Sequence, residues 1–220
     1  MTTTAQRSDH YKVSNPIFVR IYQRVMPQGL AQGQAQHLDE LVAGLSGRVL
    51  EIGVGGGPTF TRYPNEVSEV VGVEPEPRMR ALAEREAARA STPIPLVDAV
   101  ADDLPFDDES FDAGVLAGIL CTVPRPEQAL AELHRVIRPG GELRYYEHVR
   151  ACCTPMRQAQ WTLDHSIWPL INGGCHTNRD SEATIRAGGF EIEHSRRFAF
   201  RPCALAWPVT PHVIGVARRS

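Results

Sequence analysis

The chain contains no apolar run approaching the ~20 residues that cross a bilayer, and its polar start, Met1 to Lys12, lacks the apolar stretch of a secretory signal. Both absences point to a soluble protein without stable membrane insertion, with the cytoplasm as its expected compartment. Strong charge of either sign is also missing. A net charge of −3 over 220 residues gives no general attraction to nucleic acid or to an anionic surface, so no nucleic-acid partner is expected. Cysteine pairing is absent as well: Cys121, Cys152, Cys153, Cys175 and Cys203 are odd in number and include no C-x-x-C pair. Free thiols in a reducing compartment are expected rather than a disulfide framework. A zinc set of Cys152, Cys153, Cys175 and His176 can be drawn, but its spacing matches no familiar ligand pattern, and no metal is expected.

What is there is an ordinary globular composition, 42% hydrophobic and 22% charged, in a length suited to one domain with a proper core. The most informative stretch runs from Val49 to Pro58, V-L-E-I-G-V-G-G-G-P. Apolar and β-branched residues suit a buried strand; the glycines that follow suit a tight turn and the start of a helix. Glycine is needed where backbone takes φ > 0 or a ligand lies against it, and open α/β sheets bind ligands at the C-terminal ends of their strands. Two residues oppose a dinucleotide there. Pro58 occupies the third glycine position of G-x-G-x-x-G and has no N–H for a pyrophosphate, and Glu51 would repel one. S-adenosylmethionine (SAM), with an ammonium, a sulfonium and a ribose but no phosphate, suits an acid beside a glycine turn.

Along the chain, residues 1–13 read as a flexible start. Asn15-Pro16 caps a helix with Ile17, Phe18, Ile21, Tyr22 and Val25 at helical spacing, ending at Met26-Pro27-Gln28-Gly29. A second helix is expected from Leu30 to Leu45, and residues 14–46 together read as a helical lid. A helix holding Phe60 and Tyr63 follows the glycine turn. Then come a strand over 67–73 that ends at Glu74, a helix over 78–90 headed by Met79, a weaker strand over 93–100, a strand over 113–120, a helix over 126–136 and a strand over 142–149. This alternation predicts a doubly wound, Rossmann-like, mostly parallel sheet. Glu74 stands where a carboxylate accepts from both ribose hydroxyls. A helix capped by Thr154 follows, with Trp161, His165 and Trp168 at i, i+4 and i+7 as one aromatic face of a substrate pocket. Strands over 191–200 and 212–218 finish the sheet antiparallel. Residues 14–220 thus form a single domain, with 47–150 as cofactor core and 151–220 as the acceptor side.

The pattern of Glu51, Gly53, Gly55 and Gly57 resembles the first motif of class I SAM-dependent methyltransferases. The stretch 101–112, A-D-D-L-P-F-D-D-E-S-F-D, and the turn at 137–141 are also similar to that family and to ubiquinone/menaquinone-type members. The resemblance implies a small-molecule methyltransferase, with Glu51, Gly53, Gly55, Gly57, Glu74, Met79, Ala101, Asp102 and Leu116 around the cofactor. Val100 stands where the family places the acid that meets the adenine, leaving that contact to Asp102 or to backbone. The phrases at 146–149, 164–168, 174–179 and 211–215 look like those of the alkyl thiol S-methyltransferases, which implies a thiol as acceptor.

Methyl transfer from SAM is an in-line displacement, so the protein must align a nucleophile, exclude water and arrange deprotonation. His148 is the first candidate base, followed by His176 and Asp164. Tyr22, Cys121, Trp161, His165, Trp168 and Cys175 are candidates for the acceptor pocket. O- or C-methylation of a quinone, phenol or natural product is the next reading. A nicotinamide oxidoreductase and a SAM-binding protein without turnover stand as alternatives of other classes. The sequence leaves the oligomeric state open.

Overall fold

A computed structural model describes residues 14–201 and 204–220; the expected flexible start and Cys203 lie outside these. Asn15 caps helix α1 (Pro16–Gly29) by accepting the Phe18 N–H at 2.9 Å. The helix ends at Gly29, within the expected stop over 26–29; Pro27 this near the end costs only one hydrogen bond, and the Leu30 N–H still reaches the Met26 and Pro27 carbonyls. A π-type segment, Leu30–Gln34, then breaks the axis at Gly33 (φ +114°). The second helix, α2, is consequently confined to Ala35–Val42 rather than running from Leu30 to Leu45.

Seven strands follow: β1 (Gly47–Ile52), β2 (Val67–Val73), β3 (Leu96–Val97), β4 (Phe111–Ala117), β5 (Ile137–His148), β6 (Phe190–Ala199) and β7 (Pro211–Arg219). They form one sheet in the order β3-β2-β1-β4-β5-β7-β6. The first five are parallel; β7 runs antiparallel to both β5 and β6. The expected doubly wound, mostly parallel sheet with an antiparallel finish is therefore present. Helix α3 (Pro77–Ala87) links β2 to β3, and α4 (Pro126–Val136) links β4 to β5. Beyond β5 lie α5 (Thr154–Asp164), α6 (Trp168–Ile171) and α7 (Ser181–Ala187). The first residue of α5 is Thr154 itself, with Cys153 at the cap position and no side-chain cap bond, so Thr154 is not the cap. The turn at 137–141 is the bulged start of β5, where the register against β4 shifts.

The central strands are apolar on both faces, as parallel strands covered by helices must be. Alternate residues divide between two cores. Leu50, Ile52, Val71, Leu116, Leu143 and Tyr145 pack with Leu130 and Leu133 of α4. Val49, Val70, Val115 and Tyr146 pack with Leu38 and Leu41 of α2. None of the described helices is long and apolar enough to cross a membrane.

The helix expected around Phe60 and Tyr63 is absent. Residues 55–62 form successive tight turns closed by Phe60 N–H to Gly57 and Arg62 N–H to Thr59, and Pro64 stops any extension because its N–H is missing.

A tight constraint in the sheet lies at Gly215 of β7, opposite Tyr145 and Ser195. A Cβ there would stand 2.4 Å from the Tyr145 hydroxyl and 2.6 Å from the His194 carbonyl. Tyr145 is fully buried and has no room to swing away. Gly215→Ala should therefore destabilise the protein by about 2 kcal/mol through overpacking, read as a lower urea midpoint; an unchanged midpoint would refute this.

Candidate functional site

The strand order reverses between β1 and β4, so the chain departs from the sheet in opposite directions there and leaves a crevice at the strands' C-terminal ends. A cavity of about 520 Å³ fills this crevice. Its floor is the glycine turn after β1. The Gly53 N–H bonds the Val73 carbonyl at 2.8 Å, and Gly53 has φ +66°. A Cβ on Gly53 would meet the Ile119 side chain at 2.3 Å, so only glycine fits. From above, α1 lowers Tyr22 onto the turn, and the Tyr22 hydroxyl accepts the Gly56 N–H at 3.1 Å. Phe18 and Met26 of the same helix face the cavity beside it.

Four acids line the cavity, Glu51, Glu74, Glu76 and Asp102, and no Lys or Arg does among the described residues. Glu51 is buried at the end of β1. Both of its oxygens accept from the Thr59 hydroxyl, at 2.8 and 2.7 Å, and the Tyr63 hydroxyl donates at 2.8 Å. Burial nonetheless raises its carboxyl to about 7, with those hydrogen bonds opposing. Glu74, at the end of β2, accepts the Gly55 N–H at 2.9 Å and the Glu76 N–H at 3.0 Å, and burial lifts it to about 7 as well. Glu76 caps α3 by accepting the Met79 N–H at 2.8 Å. Sequence reading passed over Glu76, Thr59 and Tyr63; the signal available was the acid three residues before Met79, a cap spacing.

Met79, Ala101 and Asp102 lie on this wall with Val100. The Asp102 carboxylate accepts from Arg125 Nε at 2.6 Å. Leu116 is not on the wall: its side chain belongs to the core under α4, and the next residues, Ala117 and Gly118, reach the cavity instead.

The other end of the cavity is built from segments distant in sequence. His148, the last residue of β5, lines it with His212, Tyr146, Gly173 and Gly174. Behind this wall His148 Nε2 stands 3.3 Å from Cys175 Sγ. Cys121 Sγ, Cys175 Sγ and the His148 ring nitrogen all lie within 4.8 Å of one another. Among these groups a hydrogen bond from Cys175, together with His148, pulls the Cys121 thiol down, and the same contact pushes Cys175 up. Burial opposes charge on His148, but Cys121 and the Glu147 and Asp164 carboxylates outweigh it and hold its pKa above the usual value. His212 is pushed down to about 4, mainly by burial and also by His148. Glu147 is fully buried, and its Oε1 accepts the Ile119 and Leu120 N–H groups at 2.8 and 3.1 Å, fixing the loop that carries Cys121. Burial pushes its carboxyl up to about 8. His148 Nδ1 and Glu147 Oε2 are buried without a hydrogen-bond partner.

Four expected site residues stand elsewhere. Asp164 ends α5 and is consumed by the chain: Oδ1 accepts the Thr177 N–H at 2.6 Å and its hydroxyl at 2.9 Å, and Oδ2 accepts the Asn178 N–H at 3.0 Å. The half-exposed His176 lies 4.0 Å from Asp164 rather than in the cavity. Because α5 stops at Asp164 and α6 restarts at Trp168, residues 161, 165 and 168 do not share one face. Trp161, 55% exposed, stacks on His165 outside, with ring centroids 4.2 Å apart. Trp168 turns inward beside Cys175. Cys152 and Cys153 are exposed, so the zinc set drawn from the sequence does not assemble. Gln160, unnoticed in the sequence, is fully buried and ties α5 down by bonds to Val149, Ala151 and Pro208.

The methyltransferase domain family matches residues 50–145. Thiol S-methyltransferase TMT1B of Mus musculus is 32% identical over 181 residues, covering 79% of this chain and 72% of its own. Thiol S-methyltransferase TMT1A of Homo sapiens is 29% identical over 187 residues, covering 80% and 72%. Among solved structures, a SAM-dependent methyltransferase from Thermotoga maritima superposes with a TM-score of 0.67 at 22% identity, covering 93% of this chain and 98% of that one. N-methyltransferase NodS from Bradyrhizobium japonicum, in complex with S-adenosyl-L-homocysteine, superposes with a TM-score of 0.61 at 16% identity, covering 93% and 88%. With these matches added to the sheet order, the glycine turn and the acid-lined cavity, the chain belongs to the SAM-dependent methyltransferases, in the family that includes the thiol S-methyltransferases.

Proposed function

We propose that the enzyme methylates a small-molecule thiol, with SAM held at the acidic end of the cavity and the acceptor at the end near His148. The observation that carries the acceptor class is the extent of the likeness to thiol S-methyltransferases. At 79% of the chain it reaches well beyond residues 50–145, into the segments that build the acceptor end.

The cavity suits SAM on its own evidence. Its lining is acidic, without Lys or Arg, which favours a cationic ligand and disfavours the pyrophosphate of a dinucleotide. Gly53 leaves room that a Cβ would fill. In this reading Glu74 holds the ribose, Glu51 with its Thr59 and Tyr63 partners sets the negative potential beside the glycine turn, and Met79, Ala101 and Asp102 flank the adenine. Bound SAM supplies a methyl carbon already activated for displacement. The protein's own residues then align the acceptor and keep water out; α1, with Phe18, Tyr22 and Met26 over the opening, serves as lid. A thiol of pKa near ~8.5 is already a few per cent thiolate at neutral pH and needs little help. The His148 imidazole stands at the edge of the acceptor space, where it orients the acceptor.

Three outcomes test this reading. Glu51→Ala and Glu74→Ala should each weaken SAM binding at least tenfold by calorimetry; unchanged affinity in both would overturn the cofactor placement. The pH dependence has a definite sign. A carboxyl held at about 7 is mostly protonated at pH 6 and mostly ionised at pH 8, and a cation binds the ionised form. SAM affinity should therefore rise about tenfold from pH 6 to pH 8 for one such group, and a flat profile would show that neither carboxylate faces the cation. Finally, incubation with labelled SAM and a panel of thiols, phenols and quinols should yield methyl sulfides by mass spectrometry. His148→Ala should slow that transfer while leaving SAM affinity intact. Methylated phenols or quinols without methyl sulfides would instead establish the O- or C-methylation reading.

A further inference from the structure

The cluster of Cys121, His148 and Cys175 has features that neither a proton relay nor plain packing accounts for. Its three members come from the loop after β4, the end of β5 and the glycine-rich loop after α6, so the fold converges three separate segments on one point. Both cysteines are buried free thiols. Two sulfurs and an imidazole nitrogen within 4.8 Å of one another are the donor types preferred by soft and borderline cations.

The spacing fits as well. Tetrahedral zinc, with Zn–S near ~2.3 Å and Zn–N near ~2.0 Å, places neighbouring sulfurs about 3.8 Å apart and sulfur and nitrogen about 3.5 Å apart. The observed Cys175 Sγ to His148 Nε2 distance is 3.3 Å. The fully buried Glu147 precedes His148 in the chain, and its Oε1 pins the loop that carries Cys121 through the Ile119 and Leu120 N–H groups. His148 Nδ1 is unpartnered, leaving Nε2 as the ring nitrogen turned to the sulfurs.

We infer that Cys121, His148 and Cys175 bind one zinc-type divalent cation as a Cys₂His set, clamping the three loops that form the acceptor wall. Binding replaces the thiol protons with bonds to the metal and involves no change of oxidation state. Because His148 lines the cavity while Cys121 and Cys175 lie behind Thr122 and Gly174, the metal would fix the imidazole at the edge of the acceptor space.

Cobalt(II), which takes the same geometry and is coloured, provides the test on the full-length reduced protein. Titration should saturate at one cobalt per chain, with a near-ultraviolet thiolate charge-transfer band and visible bands of a tetrahedral ion, both abolished by zinc. Cys121→Ser and Cys175→Ser should each lose about half of the charge-transfer intensity and bind at least tenfold more weakly, and His148→Ala should shift the visible bands. Calorimetry with SAM on each variant reports whether the fold is intact. Should the core variants fail to fold, the Cys152→Ser/Cys153→Ser/Cys203→Ser triple variant carries the test, and it should keep the full band. Absence of a charge-transfer band in the wild-type protein, or its loss in the triple variant, would overturn the assignment.

Discussion

The hydrogen bond from the Gly53 N–H to the Val73 carbonyl extends the pairing of β1 and β2 one residue beyond the end of β1. The rest of the site depends on it. The bond holds the two strand ends level, so Glu51 and Glu74 stand side by side on one rim. It also forces Gly53 into positive φ under the Ile119 side chain, turning the chain away from the sheet and opening the crevice. Without a glycine here either the turn or the loop carrying Ile119 must move, and Ile119 belongs to the loop that Glu147 pins and that carries Cys121 toward the acceptor end. One backbone constraint thus couples the acidic rim of the cavity to its His148 end.

The two ends of the cavity make opposite electrostatic demands. At the rim, carboxylates suit a cation, and the protein keeps Glu51 from losing all its hydration by giving it hydroxyl donors from Thr59 and Tyr63. At the His148 end the buried polarity consists of sulfur, imidazole and the Glu147 and Asp164 carboxylates, with aromatic faces of Tyr146 and His212 stacked beside them at 5.2 Å. Bulk charge there would stabilise water in place of an apolar ligand. Weakly hydrated sulfur and nitrogen groups leave the wall compatible with an apolar ligand.

Much of this was legible in the sequence, for identifiable reasons. The strand at 67–73 and the helix at 126–136 were read at their observed bounds because their signals are local: a β-branched run stopped by Glu-Pro, and a Pro start followed by helical periodicity. Glu51, Glu74 and Met79 stood out because strand-end and helix-start positions follow from chain order alone. What misled was regularity that tertiary contacts override. The spacing of Trp161, His165 and Trp168 suggests one helical face, but Asp164 is drawn to the Thr177 and Asn178 N–H groups, and meeting them ends the helix. The break at Gly33 is similar: helical periodicity continues on both sides, and only the need to bring α1 back over the glycine turn requires the axis to change. Leu116 was misplaced by one step of strand alternation, which faces it into the core and gives the cavity to Ala117.

The convergence of Cys121, His148 and Cys175 shows where sequence reading ends. The two cysteines stand 54 positions apart in the chain, and no local spacing relates them. They meet because β4 and β5 are neighbours in the sheet, and because the glycine-rich loop after α6 folds back so that the His176 N–H bonds the Cys121 carbonyl at 2.8 Å. That backbone bond sets the two loops in register and brings Cys175 to Cys121. Arg179 adds to it by donating to the Leu120 and Val123 carbonyls. The glycine-rich segment after α6 is therefore anchored onto the β4 exit loop by main-chain carbonyls. Such anchoring asks only that the loops keep their path, and that path holds Cys121, His148 and Cys175 together.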